Sequence, residues 1–247
     1  SHDARLTLLR WQEASSTQTL KRGPAEFLAP QYSPDGSSIL YAASNDSDDA
    51  LYLADAQDGN ARAIANYRGR IAFAWSPDGK KIASLVTPDD ADLPHLGKIS
   101  VSDAEGNHRK ELVGEDALAF YWSPDSQRIA YLTLLPEDEQ GCATCAPKLA
   151  APFAQAQSLR MRWRIVNVSD SGARTLVTFA PTADFLSVLP YFDQYARSIT
   201  FWSPDSRHWV YTQSEGRGNG SVWVADVTGT DKPLHVGDGT IAIWSWK

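Results

Sequence analysis

A four-residue phrase returns along the chain and sets its architecture. It reads Tyr32-Ser-Pro-Asp-Gly36, Trp75-Ser-Pro-Asp-Gly79, Trp122-Ser-Pro-Asp-Ser126 and Trp202-Ser-Pro-Asp-Ser206, and a fifth copy begins as Trp244-Ser245-Trp246. Its serines stand at 33, 76, 123, 203 and 245, so the steps are 43, 47, 80 and 42. A period in the forties is the length of one four-stranded propeller blade, and the step of 80 is one blade carrying long insertions. The expected fold is all-β, a β-propeller of four-stranded antiparallel blades in a single domain.

Each phrase is a turn between two apolar runs. Proline presets φ at the first corner, aspartate bonds back to nearby amides, and glycine accepts a positive φ. Runs joined this tightly are antiparallel neighbours. The blades are expected at about 26–65, 70–113, 118–179 and 198–236. Residues 5–22 read as the last two strands of a blade, and Thr240–Trp246 reads as the first strand of one. Set side by side, the two ends give a composite fifth blade that closes the ring. The alternative is part of a six- to eight-bladed propeller. The aromatic ahead of each Ser-Pro-Asp is expected to wedge between blades. Where serine replaces glycine, at 126 and 206, the turn either bends differently or carries the cost of a left-handed residue.

Composition narrows the partners. Nine Trp, nine Tyr and eight Phe in 247 residues suit a sheet-on-sheet core. The net charge of −7 argues against nucleic acid or an anionic membrane as the main partner. No stretch approaches the roughly 20 apolar residues of a membrane-spanning helix. A lone Cys142-x-x-Cys145 cannot make a four-cysteine zinc site, and its loop-like flanks point to a local disulfide or free thiols.

Strand alternation places all Ser-Pro-Asp turns on one end of the blades and the long insertions on the other. Two insertions, 136–160 and 180–197, are neighbours there. Their apolar content must pack on something. It packs on itself, or it offers partner-binding anchors: Phe153, Phe185, Leu189, Tyr191, Phe192, Asp193 and Tyr195. The same end collects acid at Asp46, Asp48 and Asp49, at Asp89, Asp90 and Asp92, and at Glu137, Asp138 and Glu139. Such a field suits a basic partner, or simply keeps a Trp-rich surface soluble. Asp46, Asp48 and Asp49 are the only calcium candidates, without the spacing or terminal Glu of an EF-hand. No cofactor is otherwise expected. A nucleophile elbow and a phosphate loop are missing from the sequence, and the histidines show no ligand spacing.

The segments Phe73-Ala-Trp-Ser-Pro-Asp-Gly-Lys-Lys-Ile-Ala83 and Phe120-Tyr-Trp-Ser-Pro-Asp-Ser-Gln-Arg-Ile-Ala130 resemble repeats of the TolB-like, WD-repeat-like β-propeller family. The same repeats are similar to the propeller halves of prolyl-oligopeptidase-like and tricorn-like proteases. The resemblance implies a non-enzymatic, exported bacterial propeller, periplasmic or extracellular, that binds a protein or peptide. The alternatives are an accessory domain of a peptidase and a propeller that binds a small molecule or carbohydrate.

Overall fold

The computed structural model describes residues 4–9, 17–23, 27–44, 49–57, 59–91, 96–135, 159–195 and 198–245. Four antiparallel sheets follow one another along the chain. The first blade is β3 (Phe27–Tyr32), β4 (Ser38–Ser44), β5 (Asp49–Asp55) and β6 (Ala61–Tyr67). The second is β7 (Arg70–Trp75), β8 (Lys81–Thr87), β9 (Lys98–Asp103) and a short β10 (Lys110–Glu111). The third is β11 (Ala119–Trp122), β12 (Arg128–Leu134), β13 (Met161–Asn167) and β14 (Ala173–Phe179). Each pairs its strands in chain order, the meander of a propeller blade. Ahead of them β1 (Ala4–Leu9) and β2 (Thr17–Gly23) form a separate two-stranded sheet.

The last blade departs from expectation. Its ladder holds three strands, β15 (His208–Gly216), β16 (Asn219–Asp226) and β17 (Leu234–Asp238). The expected first strand, 198–202, is reduced to one bridge between Trp202 and Trp209, with Val210 N–H bonded to Phe201 O. Residues 183–195 explain the shortening, because this part of the crossover before the strand is helical and leaves it little length. The C-terminal segment lies outside the ladders over 240–245, and β1 pairs with β2. Trp244 N–H instead donates to Thr200 O at 2.7 Å.

The phrase turns out to be a repeated hydrogen-bond unit. In the four complete copies the serine hydroxyl donates to the aspartate two residues on, at 2.5–2.7 Å, and the same serine oxygen accepts the N–H five residues on. The aspartate accepts the next N–H but one, as from Lys80 to Asp78. The fifth position is left-handed in all four turns: φ is 73° at Gly36, 71° at Gly79, 61° at Ser126 and 60° at Ser206. Serine therefore does not change the bend. It accepts the strain.

The core lies between blades. Residues of the second strand alternate, one set facing the previous blade and one the next. Ile82 joins Phe73, Leu40 and Leu51 between blades 1 and 2, while Ala83 and Leu85 join the large cluster beyond. That cluster centres on aromatic rings. Trp163 of blade 3 meets Trp209 of blade 4 edge to face, with centroids 4.6 Å apart, and Phe179, Phe185 and Phe201 surround them. The phrase tryptophans act as the expected wedges, whereas Tyr32, the aromatic of the first copy, is 40% exposed. Trp122 Nε1–H donates to Ala74 O of the preceding blade and Trp202 Nε1–H to Tyr121 O.

Candidate functional site

The turns at one end are joined into a belt. Asp78 N–H donates to Ser126 Oγ at 3.0 Å, and Asp125 N–H to Ser206 Oγ at 3.0 Å. Arg128 spans the same joint, bonding Asp125 and Ser206 O while its guanidinium lies over Trp202. The recurring carboxylates are thus consumed by the fold. Their acidity records it. The Ser33 hydroxyl and the Ser37 amide hold Asp35 below the usual carboxylate range. The Ser203 hydroxyl and Arg207 amide do the same at Asp205. At Asp125 partial burial pushes upward, but Ser123, Gln127 and Arg128 together outweigh it.

The other end carries the long crossover from blade 3 to blade 4, and here the structure sorts the candidate anchors. The crossover forms α1 (Ala183–Val188), a 3-10 turn at Leu189–Tyr191 and α2 (Phe192–Tyr195). Thr182 caps α1, its hydroxyl accepting Phe185 N–H at 3.2 Å and donating to Thr240 O at 2.5 Å. Phe185, Leu189 and Phe192 point inward and are buried. Phe192 packs edge-on against Phe120 and Tyr121. As surface anchors these three are therefore corrected: their apolar side chains close the core. Tyr191 and Tyr195 point outward, 50% and 47% exposed. Asp193 is half-buried beside Tyr121, whose phenol is pushed far up by burial first and by this carboxylate second.

Of the acidic candidates, Asp89 and Asp90 are exposed in the turn after β8, and Asp49 opens β5. Asp46, Asp48, Asp92, Glu137, Asp138, Glu139, Cys142, Cys145 and Phe153 lie outside the described residues. Among the described residues no group of three His, Cys, Asp or Glu side chains could hold a metal ion. None of their helices is long and apolar enough to cross a membrane.

Two features escaped the sequence reading. In the crossover between blades 2 and 3, Glu115 receives the Tyr131 hydroxyl at 2.6 Å and the Arg164 guanidinium, which also lies over the Tyr131 ring. The partners come from 115, 131 and 164, and nothing in their local sequence links them. The second is the pair of threonines that seats residues 240–244. Thr182 holds Thr240 O, and Thr200 Oγ1 donates to Trp244 O at 2.6 Å.

No family model matches the chain. Solved structures show the fold. An oligogalacturonate lyase of Vibrio parahaemolyticus superposes with a TM-score of 0.53 at 12% identity, over 96% of this chain and 73% of that one. The β-propeller domain of the Trilobed protease of Pyrococcus furiosus, described as having an open velcro topology, gives 0.51 at 14% identity, over 85% and 57%. A TolB of Agrobacterium tumefaciens gives 0.47 at 17% identity, over 91% and 66%. The chain is a β-propeller. At these identities the likeness carries the fold alone, and a lyase and a protease domain share it.

Proposed function

We propose that this chain is a non-enzymatic, TolB-like propeller that is exported and binds a protein or peptide through the crossover between blades 3 and 4. The observation that carries the reading is the split of that crossover. Phe185, Leu189 and Phe192 anchor it rigidly in the core, while Tyr191 and Tyr195 are left facing water beside Pro190. Tyrosines held on a fixed scaffold lose little entropy on binding and are favoured anchors. The exposed acid at Asp89, Asp90 and Asp184 supports a partner with basic groups. A photo-crosslinking residue placed at Tyr191 or Tyr195 in producing cells should yield a discrete adduct, and one at Lys80 on the belt should not. No adduct at either tyrosine, or identical adducts at all three sites, would rule the surface out.

The second reading is an accessory propeller of a peptidase. It is favoured by the likeness to the protease propeller domain, of which this chain spans 57%. Purification of the native protein from its source would decide it, a peptidase domain on the same polypeptide replacing the first reading. A thermal-shift response to sugars or divalent ions would instead favour a small-molecule or carbohydrate ligand.

A further inference from the structure

The joints between successive blades are not built alike. Between blades 2 and 3 the Trp122 indole donates to Ala74 O, Asp78 N–H donates to Ser126 Oγ, and Lys110 Nζ reaches Val168 O at 3.1 Å. Between blades 3 and 4 the Trp202 indole donates to Tyr121 O, Asp125 N–H to Ser206 Oγ, and the Arg128 guanidinium to Ser206 O. The joint between blades 1 and 2 repeats neither the indole link nor the serine link. Trp75 is 7% exposed, and its Nε1–H finds no acceptor among the described residues. Position 79 is glycine, so no hydroxyl stands where Ser126 and Ser206 receive an aspartate amide. Gln31 Nε2–H crosses this joint to Phe73 O at 2.9 Å. The strand that carries Gln31 is also irregular. β3 shifts register between Leu28 and Gln31, around Pro30, which has no N–H to give the ladder.

Apolar packing divides at the same place. Buried side chains of blades 2, 3 and 4 form one continuous cluster, from Ala83 and Leu85 through Trp163 to Trp209 and Val227. Blade 1 joins through a separate, smaller one, in which Leu40, Ala42 and Leu51 meet Phe73, Trp75 and Ile82. An apolar joint with few directional bonds holds its halves together without fixing them in place. Parting it lets water reach the Trp75 N–H, a donor that the closed joint leaves unsatisfied. Parting either of the other joints breaks an indole bond and a serine bond already made. Both differences favour opening at the first joint.

We propose that the joint between blades 1 and 2 is a hinge built into the fold. Blades 2 to 4 hold together as one body, and blade 1 parts from them along Leu40, Ala42, Phe73 and Trp75 while each blade keeps its own ladder. The crossover bearing Tyr191 and Tyr195 packs on β7 and β11, within that body, so the hinge does not depend on the function proposed above.

Thiol labelling under native conditions reads the opening. With Cys142 and Cys145 replaced by alanine, a single cysteine is placed at a buried alanine of each second strand. Ala42→Cys reads the first joint, Ala83→Cys the second and Ala130→Cys the third, and all three alanines are 0% exposed. Labelling at position 42 should run at least about tenfold faster than at 83 or 130, the combined effect of the unpaired donor and the missing serine bond. Adding Gly79→Ser supplies that hydroxyl, and should slow labelling at 42 by about threefold or more while leaving 83 and 130 unchanged. Should Ala42→Cys lose its native circular dichroism, Ile82→Cys reads the same joint from the facing blade, Ile82 being 2% exposed. Equal rates at the three joints overturn the proposal. So does a fast rate at 42 that Gly79→Ser leaves untouched, which would report fraying of blade 1 by itself.

Discussion

Ser126 and Ser206 sit where the first two turns carry glycine, and both stay left-handed at φ near 60°. A side chain there costs about 1 kcal/mol. What offsets it is a hydroxyl placed to accept the aspartate N–H of the preceding blade, a bond of about 1 kcal/mol that glycine cannot make. The two effects nearly cancel, and separating them gives a prediction. Ser206→Ala keeps the strain and strands the Asp125 N–H, so it should destabilise by about 1–2 kcal/mol in denaturant titration. Ser206→Gly should cost less, because it relieves the strain as it removes the bond. Gly79 has room for the complementary gain. A Cβ there would stand 3.4 Å from Pro34 of the previous turn, so Gly79→Ser can build the missing bond to Asp35. The expected change is within about 1 kcal/mol of zero, against a clear loss for Gly69→Ala, whose Cβ would meet Thr87 O at 2.1 Å.

At the scale of the element, the phrase turns make the blades sensitive to acid. Asp35, Asp78, Asp125 and Asp205 all ionise below the ordinary carboxylate value. A carboxyl depressed on folding contributes stability that is present above its unfolded pKa of about 3.9 and is lost as pH falls through the folded value. Melting temperature should therefore hold from pH 7 to about 5 and drop below about pH 4. Asp125→Asn should lower the plateau and flatten the drop. The crossover helices give a second contrast. Phe192→Ala empties a site 1% exposed and should cost about 3–5 kcal/mol, whereas Tyr191→Ala with Tyr195→Ala should leave the melting temperature within about 1 °C. Sequence could not separate these residues. Phe192 and Tyr191 are adjacent and both aromatic, and only the helical turn at 189–195 sends one inward and one out.

Across the whole molecule, cohesion comes from contacts repeated between blades: indole to backbone carbonyl, serine hydroxyl to aspartate amide, and apolar alternation on the second strand. Such an assembly is strongest where each blade has a neighbour on both sides, and the outer strand of blade 4 is exposed at Leu234 and Val236. Hydrogen exchange should then rank the blades. Amides of β12 and β13, between two neighbours, should exchange most slowly. Those of β17 should exchange fastest, because an uncovered strand opens with little loss of apolar contact.

Repetition made the architecture readable in one dimension. The phrase and its spacing determined the turns, the antiparallel strands and the wedge tryptophans, because each is a local consequence of a few adjacent residues. The fate of residues that no local rule constrains was decided by tertiary structure alone. The helical crossover, the inward turn of Phe185, Leu189 and Phe192, the Glu115–Tyr131–Arg164 cluster and the seating of Trp244 on Thr200 all join positions tens of residues apart. Their partners are chosen by packing in three dimensions, where burying an aromatic or pairing a charge outweighs any preference written in the neighbouring sequence.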